Sequence, residues 1–195
     1  MNTITNLFLS RRRLLGSLIG ASALSLTGLP STTGHAAERG GRISARLDEL
    51  GLTLPELAAP VASYVPYVVQ GNQVHIAGQL PMRDGTLLSP GKVPVDVSVE
   101  EAREAARQCA INILAALNAA CDGNLDRVAR CVRLEGYVAC SDDFTRQSSV
   151  MNGASDLMGD VFGERGRHTR VAVGSNSLPL NACVEVAGLF VLSET

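Results

Sequence analysis

The chain contains no tryptophan, only three tyrosines and four phenylalanines, and no C-x-x-C pair among its five cysteines. Without C-x-x-C spacing, neither a zinc knuckle nor a thioredoxin-type redox motif is indicated, and an odd cysteine count excludes a fully paired disulfide framework. Positive charge is not in excess: 17 Lys and Arg stand against 19 Asp and Glu, a formal net charge of −2. With a pI near 5.9 there is no electrostatic handle for a polyanion such as nucleic acid. After residue 38 no apolar run is long enough to span a bilayer. What remains is a chain of 195 residues, 46% hydrophobic and 18% charged. That suits one globular domain with an ordinary core and a small-molecule or protein partner.

The first 36 residues read as an export signal. Ser10-Arg11-Arg12-Arg13-Leu14-Leu15 is a twin-arginine pattern, an apolar segment runs from Leu14 to about Leu29, and Gly34-His35-Ala36 supplies small residues for cleavage before Ala37. The expected organisation is a signal over 1–36, an N-terminal extension over 37–57 and a folded domain over 58–195, located in the periplasm. Cys109, Cys121, Cys131, Cys140 and Cys183 all follow the signal. Four of them sit in or beside apolar runs and read as buried free thiols; a single disulfide in an oxidising compartment is the alternative.

Residues 44–50 have a short helical pattern ended by Gly51, and Pro55, Pro60 and Pro66 stop any longer helix. Residues 64–69 and 73–78 read as strands joined by a tight turn at Gly71-Asn72. Ser98-Val99-Glu100-Glu101 is a capping-box pattern, and Ala102, Ala106, Cys109, Ile113, Ala116, Leu117 and Ala120 form an apolar stripe ending at Gly123. Residues 128–138 read as a strand with Val132, Leu134 and Gly136 on one face. Ser141-Asp142-Asp143 reads as a turn and helix cap. A second amphipathic helix over 150–162 buries Val150, Ala154, Leu157, Val161 and Phe162. The chain closes with two strands split by a turn-like stretch, 174–181. The order β-β-α-β-α-β-β predicts an α+β fold, a mixed β-sheet with two helices packed on one face. The other face is left bare, which favours oligomerisation.

Two charges stand out in the last part of the chain. Arg170 opens one apolar run, and Glu185 interrupts another that extends from Ala182 to Leu192. Charges inside strands of a small domain are paired, at a rim, or functional. The two lie on separate strands, so adjacency in the sheet is expected to bring them to one cleft. An intersubunit ion pair is the bland alternative. His75, in a strand pattern, reads as a satisfied sheet residue, and His168 as a solvated loop histidine rather than a general acid.

Three motifs resemble the RidA/YjgF family, once labelled endoribonuclease L-PSP and built on a chorismate-mutase-like fold. Gly71-Asn72 with Ala77-Gly78-Gln79-Leu80-Pro81 resembles the family's G-N…S-G-Q-I/L-P. Asn152 before an apolar helix resembles the asparagine of V-N-x-x-Y. Arg170, Leu178-Pro179 and Val184-Glu185-Val186 resemble R…L-P…I/V-E-I/V with the same Arg-to-Glu spacing. The resemblance spans about residues 58–192. It implies a homotrimer with intersubunit clefts that hydrolyses 2-imino acids to keto acids and ammonia without metal or cofactor. It also implies that Arg170 clamps the substrate carboxylate, Glu185 activates water, Tyr64 lines the cleft, and Ala77, Gly78 and Asn152 contribute to substrate binding. Two departures are visible. Ala77 stands where many active members carry serine, and His168 where proline or alanine is usual. Asn152-Gly153-Ala154-Ser155-Asp156-Leu157 and Gly166-Arg167-His168-Thr169-Arg170 place the chain nearest one subgroup of the family. A non-catalytic small-ligand-binding trimer is the alternative function. The family's older ribonuclease label fits poorly with the acidic pI and the export signal.

Overall fold

The computed structural model describes residues 41–57 and 64–193, so the export signal read at 1–36 lies outside the described residues. A short helix α1 (Arg42–Glu49) precedes strands β1 (Tyr67–Gln70) and β2 (Gln73–Gln79). A small hairpin, β3 (Met82–Arg83) and β4 (Thr86–Leu87), leads to helix α2 (Val99–Ala120). Then follow β5 (Val128–Ala139), α3 (Gln147–Phe162), β6 (Thr169–Ser175) and β7 (Val184–Leu192). Helix α1 corresponds to the short helical pattern read at 44–50, and apart from the hairpin the rest is the order that the hydrophobic pattern implied.

The five long strands form one mixed sheet in the order β1-β2-β7-β5-β6. Only β5 and β6 pair in parallel, as their connection through α3 requires. Helix α2 packs on β2 and β7, and α3 on β5 and β6, so both long helices cover the same sheet face. The fold is therefore α+β, as expected, and α1 docks beside α3 with Ile43 and Leu47 buried in the common core. All five cysteines are buried and free.

The start of α2 follows its capping box. Ser98 Oγ accepts from the Glu101 N–H at 3.2 Å, and Glu101 Oε2 accepts from the Ser98 N–H at 2.9 Å, satisfying donors that the first turn would leave open. Ser98→Ala should cost about 1 kcal/mol in urea unfolding. A loss too small to measure would mean that packing alone fixes this helix start.

The two helices approach closely at Gly153 of α3, where a β-carbon would fall on the carbonyl of Arg103 in α2. Helix propensity favours Gly153→Ala by about 1 kcal/mol, yet overpacking against backbone costs about 1–3 kcal/mol. Net destabilisation is expected; a rise in melting temperature would contradict the close approach.

Two local expectations need correction. Val132 does not share the helix-facing side with Leu134. Cys131 pairs with Phe190 and Arg133 with Leu189, so β5 has one extra residue there. That bulge puts Cys131, fully buried, in the core position. Ser141-Asp142-Asp143 does not cap α3 either. The helix begins at Gln147 with no side-chain cap, while Ser141 Oγ donates to Asp143 Oδ1 at 2.7 Å.

Along β7, Val184, Val186, Phe190 and Leu192 are buried beneath the helices, which turns Glu185, Ala187, Leu189 and Val191 to the opposite face. Val68, 51% exposed, and Val173, 42% exposed, share that open face through the sheet register. This is the bare face that the element order implied, and it is mixed: Arg133 and Glu135, ion-paired at 2.8 Å, and His75 share it with these apolar side chains.

Candidate active site

Glu185 sits opposite Tyr137 of β5 on the open face. The strand beside it, β2, is irregular between Ile76 and Gln79, and this brings Gly78 under the carboxylate. A β-carbon at residue 78 would overlap Glu185 Oε1, so glycine is what lets the side chain lie across the strand. Glu185 is half-buried, and that desolvation raises its pKa above the ordinary carboxylate value. Ala77 lies next to Gly78, its N–H bonded to the Pro66 carbonyl at 2.9 Å, and its methyl group offers no hydroxyl to this surface.

Arg170 faces the other way. It is in register with Leu134, which is buried under the helices, so its side chain reaches toward α3. There Nη1 donates to Asn152 Oδ1 and to Ser155 Oγ, each at 3.0 Å. Both Nη1 hydrogens are thereby used, and the Nε–Nη2 edge keeps two parallel donors. Arg170 is exposed and forms no ion pair among the described residues.

The expectation that sheet adjacency brings Arg170 and Glu185 together is therefore wrong within one chain. Strand β5 lies between theirs, and their partners on it, Leu134 and Tyr137, are three residues apart. An odd separation puts two strand residues on opposite faces. The predicted residues divide into two groups: Glu185 with Gly78 and Ala77 on the open face, and Arg170 with Asn152 at the β6 edge. Tyr64 joins neither. It is 61% exposed in the segment before β1, with no hydrogen bond among the described residues.

Sequence reasoning missed Ser155 and misjudged His168. His168 is half-buried rather than solvated, with Nε2 at 3.1 Å from Ser155 Oγ and Nδ1 at 2.6 Å from the Gly166 carbonyl. The signal was present in the spacing. Asn152 and Ser155 are three apart on one helix and share a face, while His168 and Arg170 are two apart in extended chain. His75 is exposed on the open face between Val68 and Leu189.

A mixed sheet backed by two helices, a fixed arginine at one edge and a glutamate over a glycine define the class. The chain belongs to the YjgF/chorismate mutase-like family of candidate endoribonucleases, whose model matches residues 44–192. It is similar to protein TCP17 of Trypanosoma cruzi, 47% identical over 154 residues, covering 78% of this chain and 96% of that protein. Among solved structures, Atu1372 from Agrobacterium tumefaciens, a protein of unknown function, is 46% identical with a TM-score of 0.73, over 77% of this chain and 93% of that one. A candidate endoribonuclease from Shewanella oneidensis MR-1 is 37% identical with a TM-score of 0.74, over 77% and 99%.

Proposed function

We propose that this chain is an exported RidA-type deaminase that hydrolyses 2-imino acids, or related small carboxylates, to keto acids and ammonia. Its sites are shared between copies of a homotrimer. The observation that carries the proposal is Arg170, held through Nη1 by Asn152 and Ser155 with its Nε–Nη2 edge free of protein ion pairs among the described residues. Two parallel donors on a permanent planar cation match a carboxylate in a way that lysine does not. Glu185 supplies a base with a raised pKa, suited to taking a proton from water as the oxygen attacks the imine carbon. Glu185 passes that proton to the nitrogen, giving a carbinolamine; the hydroxyl proton then follows by the same route, and the C–N bond breaks to release ammonia as the carbonyl forms. Because Arg170 and Glu185 occupy opposite faces of one sheet, a site using both requires Arg170 from one copy and Glu185 from a neighbour. The bare sheet face supports such assembly.

The test is ammonia and keto-acid release from imines generated in situ by an amino-acid oxidase. Acceleration by wild type that disappears with Arg170→Ala supports the proposal; equal rates would sink it. Ala77, lacking the serine hydroxyl, favours a second reading, a ligand-binding trimer without turnover. Stabilisation by 2-ketobutyrate with no hydrolysis, unchanged by Glu185→Gln, would establish that alternative. Ribonuclease activity has the weakest support, given the net charge of −2. RNA cleavage that persists in Arg170→Ala and fades on further purification would be contamination.

Export rests on the twin-arginine pattern over 1–36. The mature protein is expected in the periplasmic fraction with Ala37 at its N-terminus; an intact Met1 in the cytoplasm would contradict it. No described helix is long and apolar enough to cross a membrane.

A further inference from the structure

The two subgroup motifs, Asn152 to Leu157 and Gly166 to Arg170, converge in space on one hydrogen-bonded chain. It runs from the Gly166 carbonyl to His168 Nδ1 at 2.6 Å, from His168 Nε2 to Ser155 Oγ at 3.1 Å, and from Ser155 Oγ to Arg170 Nη1 at 3.0 Å. Arg170 Nη1 completes it by donating to Asn152 Oδ1 at 3.0 Å. We propose that His168 and Ser155 are positioning residues for Arg170, and that this chain decides which edge of the guanidinium is presented to a carboxylate. The proposal rests on the carboxylate-clamp role of Arg170 given above.

The direction of every bond follows from one end. A backbone carbonyl only accepts, so Nδ1 must carry a hydrogen. In the neutral ring Nε2 is then an acceptor and takes the Ser155 hydroxyl hydrogen. With that hydrogen committed, the lone pairs of Ser155 Oγ are left for Arg170 Nη1, and each donor in the series meets one acceptor. The alternative tautomer would set the Nδ1 lone pair against the Gly166 oxygen and leave the Ser155 hydroxyl without its acceptor.

The far end of the chain is anchored. A β-carbon on Gly166 would overlap the Met158 carbonyl, so the loop lies directly on α3. Arg165 Nη1 next to it donates to the Val128 carbonyl at 2.7 Å. His168 thus hangs from a loop fixed at two points and transmits that rigidity through Ser155 to an otherwise exposed arginine. A long cationic side chain loses rotational freedom when it binds, and holding it beforehand removes part of that cost.

The test uses the full-length protein labelled with 15N. Long-range histidine spectra are expected to show the neutral His168 ring protonated at Nδ1; an Nε2–H tautomer would overturn the chain. Relaxation of the Arg170 Nε–H signal should report a rigid side chain in wild type, a mobile one in Ser155→Ala and His168→Ala, and recovery in Ser155→Thr, which keeps the hydroxyl. Melting temperature is the control for a merely structural role. In Ser155→Ala and His168→Ala 2-ketobutyrate should bind about tenfold more weakly, as expected for one lost hydrogen bond to a charged group, and Ser155→Thr should restore the affinity. Unchanged Arg170 mobility in both Ser155→Ala and His168→Ala refutes the positioning role. If wild type binds no 2-ketobutyrate, the clamp reading fails, while the Arg170 relaxation data still decide the positioning claim.

Discussion

Arg170→Ala is expected to remove small-carboxylate binding altogether and, with it, any turnover of 2-imino acids. The guanidinium offers two parallel charge-assisted hydrogen bonds along Nε and Nη2, each worth about 1.5–3 kcal/mol. Losing both should weaken binding by at least about a hundredfold. Arg170→Lys should recover little, because a point charge cannot keep two parallel bonds and would also lose the hold of Asn152 and Ser155. The fold should survive, since Arg170 is exposed and forms no ion pair among the described residues. Titration calorimetry with 2-ketobutyrate, alongside melting temperature, separates these effects. Binding that persists in Arg170→Ala would remove the arginine from the site.

Glu185→Gln should do something different: it should leave carboxylate affinity nearly intact and abolish hydrolysis. Glutamine fills the same space over Gly78 but cannot take a proton from water. General acid–base groups contribute about 10²- to 10⁴-fold, so the expected loss falls in that range in kcat/KM. In wild type, kcat/KM should rise with pH as Glu185 ionises, with its midpoint above the ordinary carboxylate value because burial raises its pKa. The sign for stability is opposite. A carboxyl whose pKa is raised by folding contributes stability below its unfolded pKa, and this is lost as pH rises through the folded one. Glu185→Gln should therefore flatten the decline in melting temperature across that window. A profile with no Glu185-dependent limb would leave the residue as a structural acid only.

Much of the fold was legible because its signals are local. The capping box at Ser98, the alanine-rich stripe of α2 and the Gly71-Asn72 turn each act within a few residues, and each lies where the sequence placed it. The bulge at Val132 was not legible, because an extra residue in β5 has meaning only against its partner β7. The site divides along the same line. Charge inside apolar runs singles out Arg170 and Glu185, whereas Gly78 and Asn152 are reached only through the family resemblance. Which face each side chain takes depends on a register shared among three strands, and so the opposed faces of Arg170 and Glu185 were missed. His168 was misjudged for a related reason: its partners, Ser155 and the Gly166 carbonyl, come together only when the loop folds onto α3.

Complementation between inactive variants tests the two-copy site most directly. Arg170→Ala and Glu185→Gln subunits would be unfolded together, refolded at equal amounts and assayed for imine hydrolysis. If each site takes Arg170 from one copy and Glu185 from its neighbour, random assembly restores about a quarter of wild-type activity, although each variant alone is inactive. Mixed assemblies no more active than either parent would contradict a site built from both faces of neighbouring sheets.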